Sequence, residues 1–235
     1  MASYSIAGLP VCYDAAYPML QNRSEKYRCA ASQDAFQLCV AQKEMEDLRA
    51  LTPLLTDEQR EYLLMGAAFY DYLITRGGMM LHASAVVVDH RAFLFSAPSG
   101  TGKSTHTSIW LRRFKDAYIL NDDKPALYAQ GDVVYAAGTP FSGKDDLSVN
   151  RSVPVAAIAF IERSETNRIE PITKKRALYE LLNQTGRPES VALYQKLLQN
   201  VGAILARIPI YKLYCNMEDA AADVSYAAMR KGEKQ

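Results

Sequence analysis

The strongest chemical signal in this sequence is the run Ala97-Pro-Ser-Gly-Thr-Gly-Lys-Ser104. It follows the pattern of a phosphate-binding loop, with Ala in place of the usual first Gly. Gly100 and Gly102 permit backbone angles that turn successive N–H groups inward, forming a nest for an anion. A helix starting near Ser104 would add the positive end of its dipole. Lys103 reaches the outer phosphates as a point charge, and the Ser104 hydroxyl suits Mg²⁺. Ser99, Gly100, Thr101, Gly102, Lys103, Ser104 and Thr105 are therefore the candidate nucleotide-binding residues, with ATP and Mg²⁺ as the expected cofactors. An apolar strand at 93–95 precedes the loop and a helical pattern at 105–114 follows it. Those flanks make a chance Gly-rich turn the poorer reading.

Phosphoryl transfer needs a cation to neutralise phosphate charge and often a base for the acceptor's proton. Asp122 and Asp123 stand at the C-terminal end of a strand expected at 117–121. Functional groups gather at such ends in open α/β sheets. Adjacent residues on an extended backbone point in different directions. One acid is expected to face Mg²⁺, directly or through water, and the other an acceptor hydroxyl. The competing reading is an Asx turn leading into Lys124-Pro125, which the preceding loop and strand disfavour. His82 and Ser84 fall on one face of a strand at 79–88, with Met80 and Val86. There His82 could line the nucleotide pocket or be a hydrogen-bonded core histidine, and the pattern does not choose.

The segment 138–146 combines Gly, Pro, Ser and Lys after a strand and must be an exposed loop. Lys144 and the Gly143 amide are expected to approach the transferring phosphate or the acceptor, with Asp145 and Asp146 facing solvent. Arg151, Arg163, Arg168 and Arg187 are candidates for a phosphate-stabilising arginine, and the sequence does not rank them. Residues 184–188, Gln-Thr-Gly-Arg-Pro, end one helix, precede another and could edge the adenine pocket.

The elements that must position these groups alternate in period. Thr56 and Gln59 form a capping box. Leu63, Leu64, Ala67, Ala68, Tyr70 and Ile74 recur at helical spacing before Gly77-Gly78, so a helix should pack on the sheet, its tyrosines serving the core. Residues 79–88 and 92–97 read as strands joined by a tight turn at Asp89-His90-Arg91. Further strands are expected at 133–137, 155–161 and 210–215, and helices at 104–114, 174–184, 188–208 and 218–230. Interleaving of this kind predicts an α/β fold with a mixed central sheet, a P-loop and flanking helices. Residues 1–55, with loosely alternating stretches at 6–13 and 35–41, read as a small N-terminal β-rich layer of the same domain, and 56–235 as the catalytic core.

Composition narrows the function classes. The 235 residues are 49% hydrophobic with a net charge of +1, so neither a basic face for nucleic acid nor an interaction tail is implied. The N-terminus lacks a signal-peptide pattern and no apolar run could span a bilayer. A soluble, cytoplasmic protein without nucleic-acid or membrane partners is expected. Cys12, Cys29, Cys39 and Cys215 form no Cys-x-x-Cys pair, which argues against zinc and for small, mostly buried hydrophobes.

The run His82-Ala-Ser-Ala-Val, a hairpin, Ser99-Gly-Thr-Gly-Lys-Ser104 and Leu120-Asn-Asp-Asp123 resembles the catalytic domain of HPr kinase/phosphorylase. That domain shares its nucleotide-binding architecture with ATP-dependent phosphoenolpyruvate carboxykinase. The resemblance covers about residues 79–127 and otherwise only the general order of elements. It implies that His82 is an active-site residue, that Asp122 is the proton-handling base, and that Asp123 lies nearer the metal. With Lys103 and Lys144, His82 and Asp122 make up the candidate catalytic set. No Pro-Gly-Arg-Asn-type segment and no set of oxaloacetate ligands is found, so phosphorolysis and carboxykinase activity are not expected. The chain is similar to stand-alone HPr-kinase-like proteins that phosphorylate serine on peptides, including some lasso-peptide precursors. The acceptor implied is a hydroxyl, foremost serine, of a peptide or small protein. A small-molecule acceptor, or a nucleotide-dependent switch without transfer, is the alternative. Relatives of HPr kinase assemble into oligomers, which leaves a homo-oligomer open.

Overall fold

The computed structural model describes residues 1–232, so the last three residues of the expected 56–235 core lie outside the described residues. The chain opens on the hairpin β1 (Ala2–Ile6) and β2 (Leu9–Tyr13), followed by α1 (Pro18–Ser24), β3 (Phe36–Gln37), α2 (Gln42–Leu51) and α3 (Asp57–Thr75). Next come β4 (Gly78–Met80), β5 (Ala83–Val88), β6 (Arg91–Ser96), α4 (Lys103–Arg113), β7 (Tyr118–Asp123), β8 (Ala126–Gln130) and β9 (Val133–Ala137). The chain continues through β10 (Ser152–Arg163), β11 (Arg168–Pro171), α5 (Lys174–Asn183), α6 (Val191–Leu205), β12 (Ile210–Cys215) and α7 (Ala220–Met229).

The main sheet is mixed. Its order is β4-β8-β9-β10-β6-β5-β7, with β12 on β10 and β11 on β12. The long β10 organises it: Ser152–Pro154 pair antiparallel with β9, whereas the following residues pair parallel with β6 and β12. The sheet therefore curls around β10. Strands β5 and β6 alternate between two cores, as the pleat requires. Ala85, Val87, Ala92 and Leu94 face α3 and α6, while Val86, Val88, Phe93 and Phe95 face Trp110 of α4 and Met229 of α7. This is the mixed α/β sheet with flanking helices that the sequence periods predict.

Helix α3 starts at the expected capping box. The Gln59 amide donates to Thr56 Oγ1 at 3.2 Å, and the Thr56 amide donates to Gln59 Oε1 at 2.9 Å. Met65, Phe69, Tyr70, Leu73 and Ile74 form its buried face. Glu61, itself buried, accepts from the Ala16 and Tyr17 amides, and Glu58 accepts from the Met19 amide at 2.7 Å. These acids satisfy donors that α1 would otherwise leave open.

The region 1–55 departs from a β-rich layer. Ala7 and Gly8 turn left-handed and split the 6–13 stretch into a hairpin, 35–41 contracts to the two residues of β3, and α1 and α2 supply helix. The expected 79–88 strand is also two strands. β4 pairs with β8 and β5 with β6 and β7, so the chain changes partners at Leu81-His82. The turn is tighter than the expected Asp89-His90-Arg91: Asp89 and His90 alone turn, both left-handed, and Arg91 already pairs with Val88. Strands β8 and β11 were not expected; β11 is only four residues long. The helix expected at 188–208 begins only after Ser190, whose hydroxyl caps it, and that at 218–230 begins at Ala220. Cys215 is buried, but Cys29 and Cys39 are exposed, which corrects the expectation of mostly buried thiols. Among the described residues no helix is long and apolar enough to cross a membrane.

Candidate functional site

Residues 97–102 link β6 to α4, and both glycines carry positive φ, +76° at Gly100 and +122° at Gly102. Other side chains strain such angles. Helix α4 begins at Lys103, so Ser104 and Thr105 occupy its exposed first turn beside the free amides of the helix start. The Lys103 ammonium folds back and donates to the Ala97 carbonyl at 2.9 Å. Burial pushes its pKa below the ordinary lysine value, against the charges of Asp123 and Asp122. Among the candidate arginines, Arg163 reaches the loop: its guanidinium donates to the Thr101 carbonyl at 3.0 Å and to the Gly100 carbonyl. Arg168 lies 3.5 Å over the Tyr214 ring and pairs with Glu170, and Arg151 is exposed.

Asp122 and Asp123 end β7, beside α4. The Ser104 hydroxyl donates to the Asp122 carboxylate, at 3.4 Å from Oδ1 and 3.3 Å from Oδ2. Asp123 turns the other way. Its Oδ1 lies 3.3 Å from His82 Nε2 and its Oδ2 3.5 Å from Lys124 Nζ. The resemblance implies that Asp123 lies nearer the metal; of the two acids, it is Asp122 that lies against Ser104. Asp123 has a φ of +138°, an unfavourable value for a residue with a Cβ. It is held by pairing to β5 opposite Ala83 and by a bridge to Ser142. Strain of this kind persists where the surroundings over-determine it.

The strand break fixes His82. Its amide donates to the Gln184 carbonyl at 2.7 Å, and its Nδ1 faces Gln184 Oε1 at 3.1 Å. Burial, then the Lys103 charge, push the imidazole pKa below the ordinary value, with Asp123 opposing. His82 thus bridges the acid pair and the 183–190 segment. Ser84 does not share its surroundings: it is buried and donates to Thr107 Oγ1 at 3.1 Å, tying β5 to α4.

The 138–146 loop packs against the acids in a manner the sequence does not show. The Gly143 amide donates to the Asp122 carbonyl, so it is not free to meet a phosphate. A Cβ on Gly143 would lie 2.9 Å from that carbonyl oxygen and 3.5 Å from Asp122 Oδ2, so only glycine permits the approach. Asp146 is half-exposed but not free: it accepts from Ser142 Oγ at 2.7 Å and pairs with Lys26 at 3.1 Å. Lys144 and Asp145 are exposed.

Several supporting residues escaped the sequence reading. Buried Asn121 donates to the Thr139 carbonyl at 2.9 Å and accepts from the Lys124 amide at 2.8 Å, fixing the turn after the acids. Arg23 and Tyr62 both donate to the Ser142 carbonyl at 2.7 Å. Phe141 packs on Tyr62 and Phe69. Beyond the Asn-Asp turn chemistry at 121–123, no short spacing in the chain marks these partners.

The fold and the site together define a mixed α/β protein in which a glycine loop, a helix start and paired carboxylates meet beside one strand end. The chain belongs to the family of SynChlorMet cassette protein ScmC, whose model matches residues 55–221. Among solved structures it is similar to the Hpr(Ser) kinase/phosphatase from Coxiella burnetii, at 14% identity over 65% of this chain and 97% of that one, with a TM-score of 0.35. No curated protein matches it.

Proposed function

We propose that the chain is an ATP-dependent phosphotransferase that moves the γ-phosphoryl group to a hydroxyl, foremost serine, of a peptide or small protein. The observation that carries this reading is the division of labour between adjacent acids. Asp122 lies against Ser104 at the start of α4, while Asp123 lies against His82. A serine hydroxyl and a carboxylate are hard oxygen donors, and two such groups suit a Mg²⁺ that takes its other ligands from phosphates and water. Bound there, Mg²⁺ would neutralise charge on the phosphates.

The chain's own groups supply the rest. The amides of Gly100 and Gly102 and the α4 N-terminus cradle the phosphates, and Lys103 leaves the Ala97 carbonyl to meet them. Asp123 takes the proton of the acceptor hydroxyl as its oxygen bonds to the γ-phosphorus. The bond from that phosphorus to the bridging oxygen breaks, and the electron pair leaves with ADP. His82, hydrogen-bonded to Asp123, orients its carboxylate. This allocation exchanges the roles that the resemblance implied for the two acids. Lys144, exposed on the neighbouring loop, remains a candidate to steer the acceptor. The choice of serine on a peptide rests on the motif resemblance.

The test combines calorimetry of MgATP binding with incubation of the protein, γ-labelled ATP, Mg²⁺ and extract of the source organism. Mass spectrometry of the labelled species then identifies the acceptor. Transfer to a peptide or protein hydroxyl is expected. Label on a free metabolite alone would move the acceptor to a small molecule. MgATP binding with no labelled product would indicate a switch, and no MgATP binding would end the reading.

A further inference from the structure

A cavity of about 750 Å³ opens between α3 and the 183–190 segment, a volume suited to a small ligand or a few side chains. His82 and Lys124 line it, but no residue of 97–105 does. His82 therefore faces this cavity and also meets Asp123. With phosphates held by the loop, the nucleoside leads away from the γ-phosphoryl end, whereas an acceptor must approach Asp123. The cavity adjoins the acceptor's side.

Its walls are specific in character. Leu64, Ala67 and Tyr70 recur along one face of α3 and, with Met80 of β4, make an apolar wall. From that wall Tyr70 Oη reaches Thr185 Oγ1 and the Gly186 carbonyl opposite, so this rim is built rather than loose. Three acids line the cavity, Glu44, Asp71 and Glu189, with Arg187 and Lys124 as the cations. Glu44 is engaged by the Ala41 amide at 2.7 Å and Lys124 by Asp123. Among the described residues no ion pair engages Asp71 or Glu189. Burial and then the Glu189 charge hold the Asp71 carboxyl above its usual pKa. A cation brought between them would relieve that repulsion.

We propose that this cavity seats the part of the acceptor peptide beside its reactive hydroxyl, and that this part carries an aliphatic side chain together with a lysine or arginine. The aliphatic group packs on Leu64, Ala67 and Met80, and the cation meets Asp71 and Glu189. The proposal rests on the phosphotransferase reading above and adds the substrate's sequence character to it.

The experiment is transfer from γ-labelled MgATP to a position-scanned library of peptides with a fixed central serine. It uses the full chain as wild type, Ala67→Trp and Asp71→Lys, with the MgATP Kd measured for each. Wild type is expected to select an aliphatic and a basic residue at fixed offsets from the serine. Ala67→Trp should raise the peptide KM by roughly tenfold or more, and Asp71→Lys should abolish the basic preference by a similar factor, with MgATP affinity unchanged in both. Wild-type transfer without positional preference, or Ala67→Trp and Asp71→Lys that retain the preferred peptide's KM, would overturn the proposal and leave the kinase intact. Loss of MgATP affinity in Ala67→Trp would instead hand the cavity to the nucleoside. No transfer to any peptide by wild type would overturn both this inference and a peptide acceptor.

Discussion

Replacing Asp123 by Asn keeps the shape of the side chain and removes its charge, which separates structural from chemical roles. Its Oδ1 lies 3.3 Å from His82 Nε2. Were the ring charged, the attraction at that separation would be about 5 kcal/mol at an effective dielectric of about 20. Burial and the Lys103 charge push the imidazole pKa below its ordinary value, which favours a hydrogen bond to a neutral ring over a full ion pair. Such a bond contributes about 1 kcal/mol net, and an amide retains part of it. Asp123→Asn also gives up the Lys124 ion pair at 3.5 Å, so it should lose about 1–2 kcal/mol of stability in urea. Transfer should fall about 10² to 10⁴-fold, the contribution of a general base, or about 3–5 kcal/mol of barrier. MgATP affinity should stay within about threefold, because the role proposed for Asp123 lies with the acceptor rather than with the phosphates.

Asp122→Asn should behave differently. It removes the carboxylate beside Ser104, so the Mg²⁺ requirement and MgATP affinity should shift together with the rate. The assays are urea unfolding, calorimetry, and single-turnover transfer across a Mg²⁺ series. Asp123→Asn transferring at the wild-type rate would refute the reasoning. So would an Asp122→Asn variant that loses transfer while its Mg²⁺ dependence is unchanged, because the base would then be Asp122.

Gly143→Ala should destabilise the protein by about 1–3 kcal/mol and slow transfer, since the new methyl would meet the Asp122 carbonyl oxygen at 2.9 Å; wild-type values in both thermal unfolding and transfer would refute it. Arg163→Ala should weaken MgATP binding about tenfold by freeing the Gly100 and Thr101 carbonyls. Its exposed position should limit the stability change to under about 1 kcal/mol, so an unchanged Kd would remove Arg163 from the loop's support. His106 is buried against Trp110 and Ser225, and burial lowers its pKa to about 4. Its folded value lies below the unfolded one of about 6.5, so this stabilisation is complete above pH 6.5 and is lost as pH falls towards 4, reaching about 3 kcal/mol. Urea unfolding at pH 7 and 4.5 in wild type and His106→Gln checks this; an identical pH dependence in the two would refute it.

Much of the scaffold was legible because it is local. The Thr56-Gln59 box, the tight turn at Asp89-His90 and the glycine pattern of 97–104 all act within a few residues. Aliphatic runs also marked the segments that hold β5 and β6, whose successive residues serve opposite cores. The break at Leu81-His82 was not legible: both halves are apolar and extended, and only the choice of partner, β8 or β6, distinguishes them. Asp146 reads as a surface acid because Lys26, its partner, lies far away in the chain.

The sequence by itself determined a mixed α/β chain carrying a glycine loop, a following helix and two adjacent acids at a strand end, since backbone angles and side-chain periods act over short range. Which acid turns to Ser104, which to His82, and that the Gly143 amide is spent on a carbonyl were decided only in three dimensions. Those outcomes depend on Asn121 binding Thr139, on Gln184 holding His82, and on a loop closing over β7. Contacts between residues so distant in sequence leave no spacing to read, because they are fixed by how the elements pack.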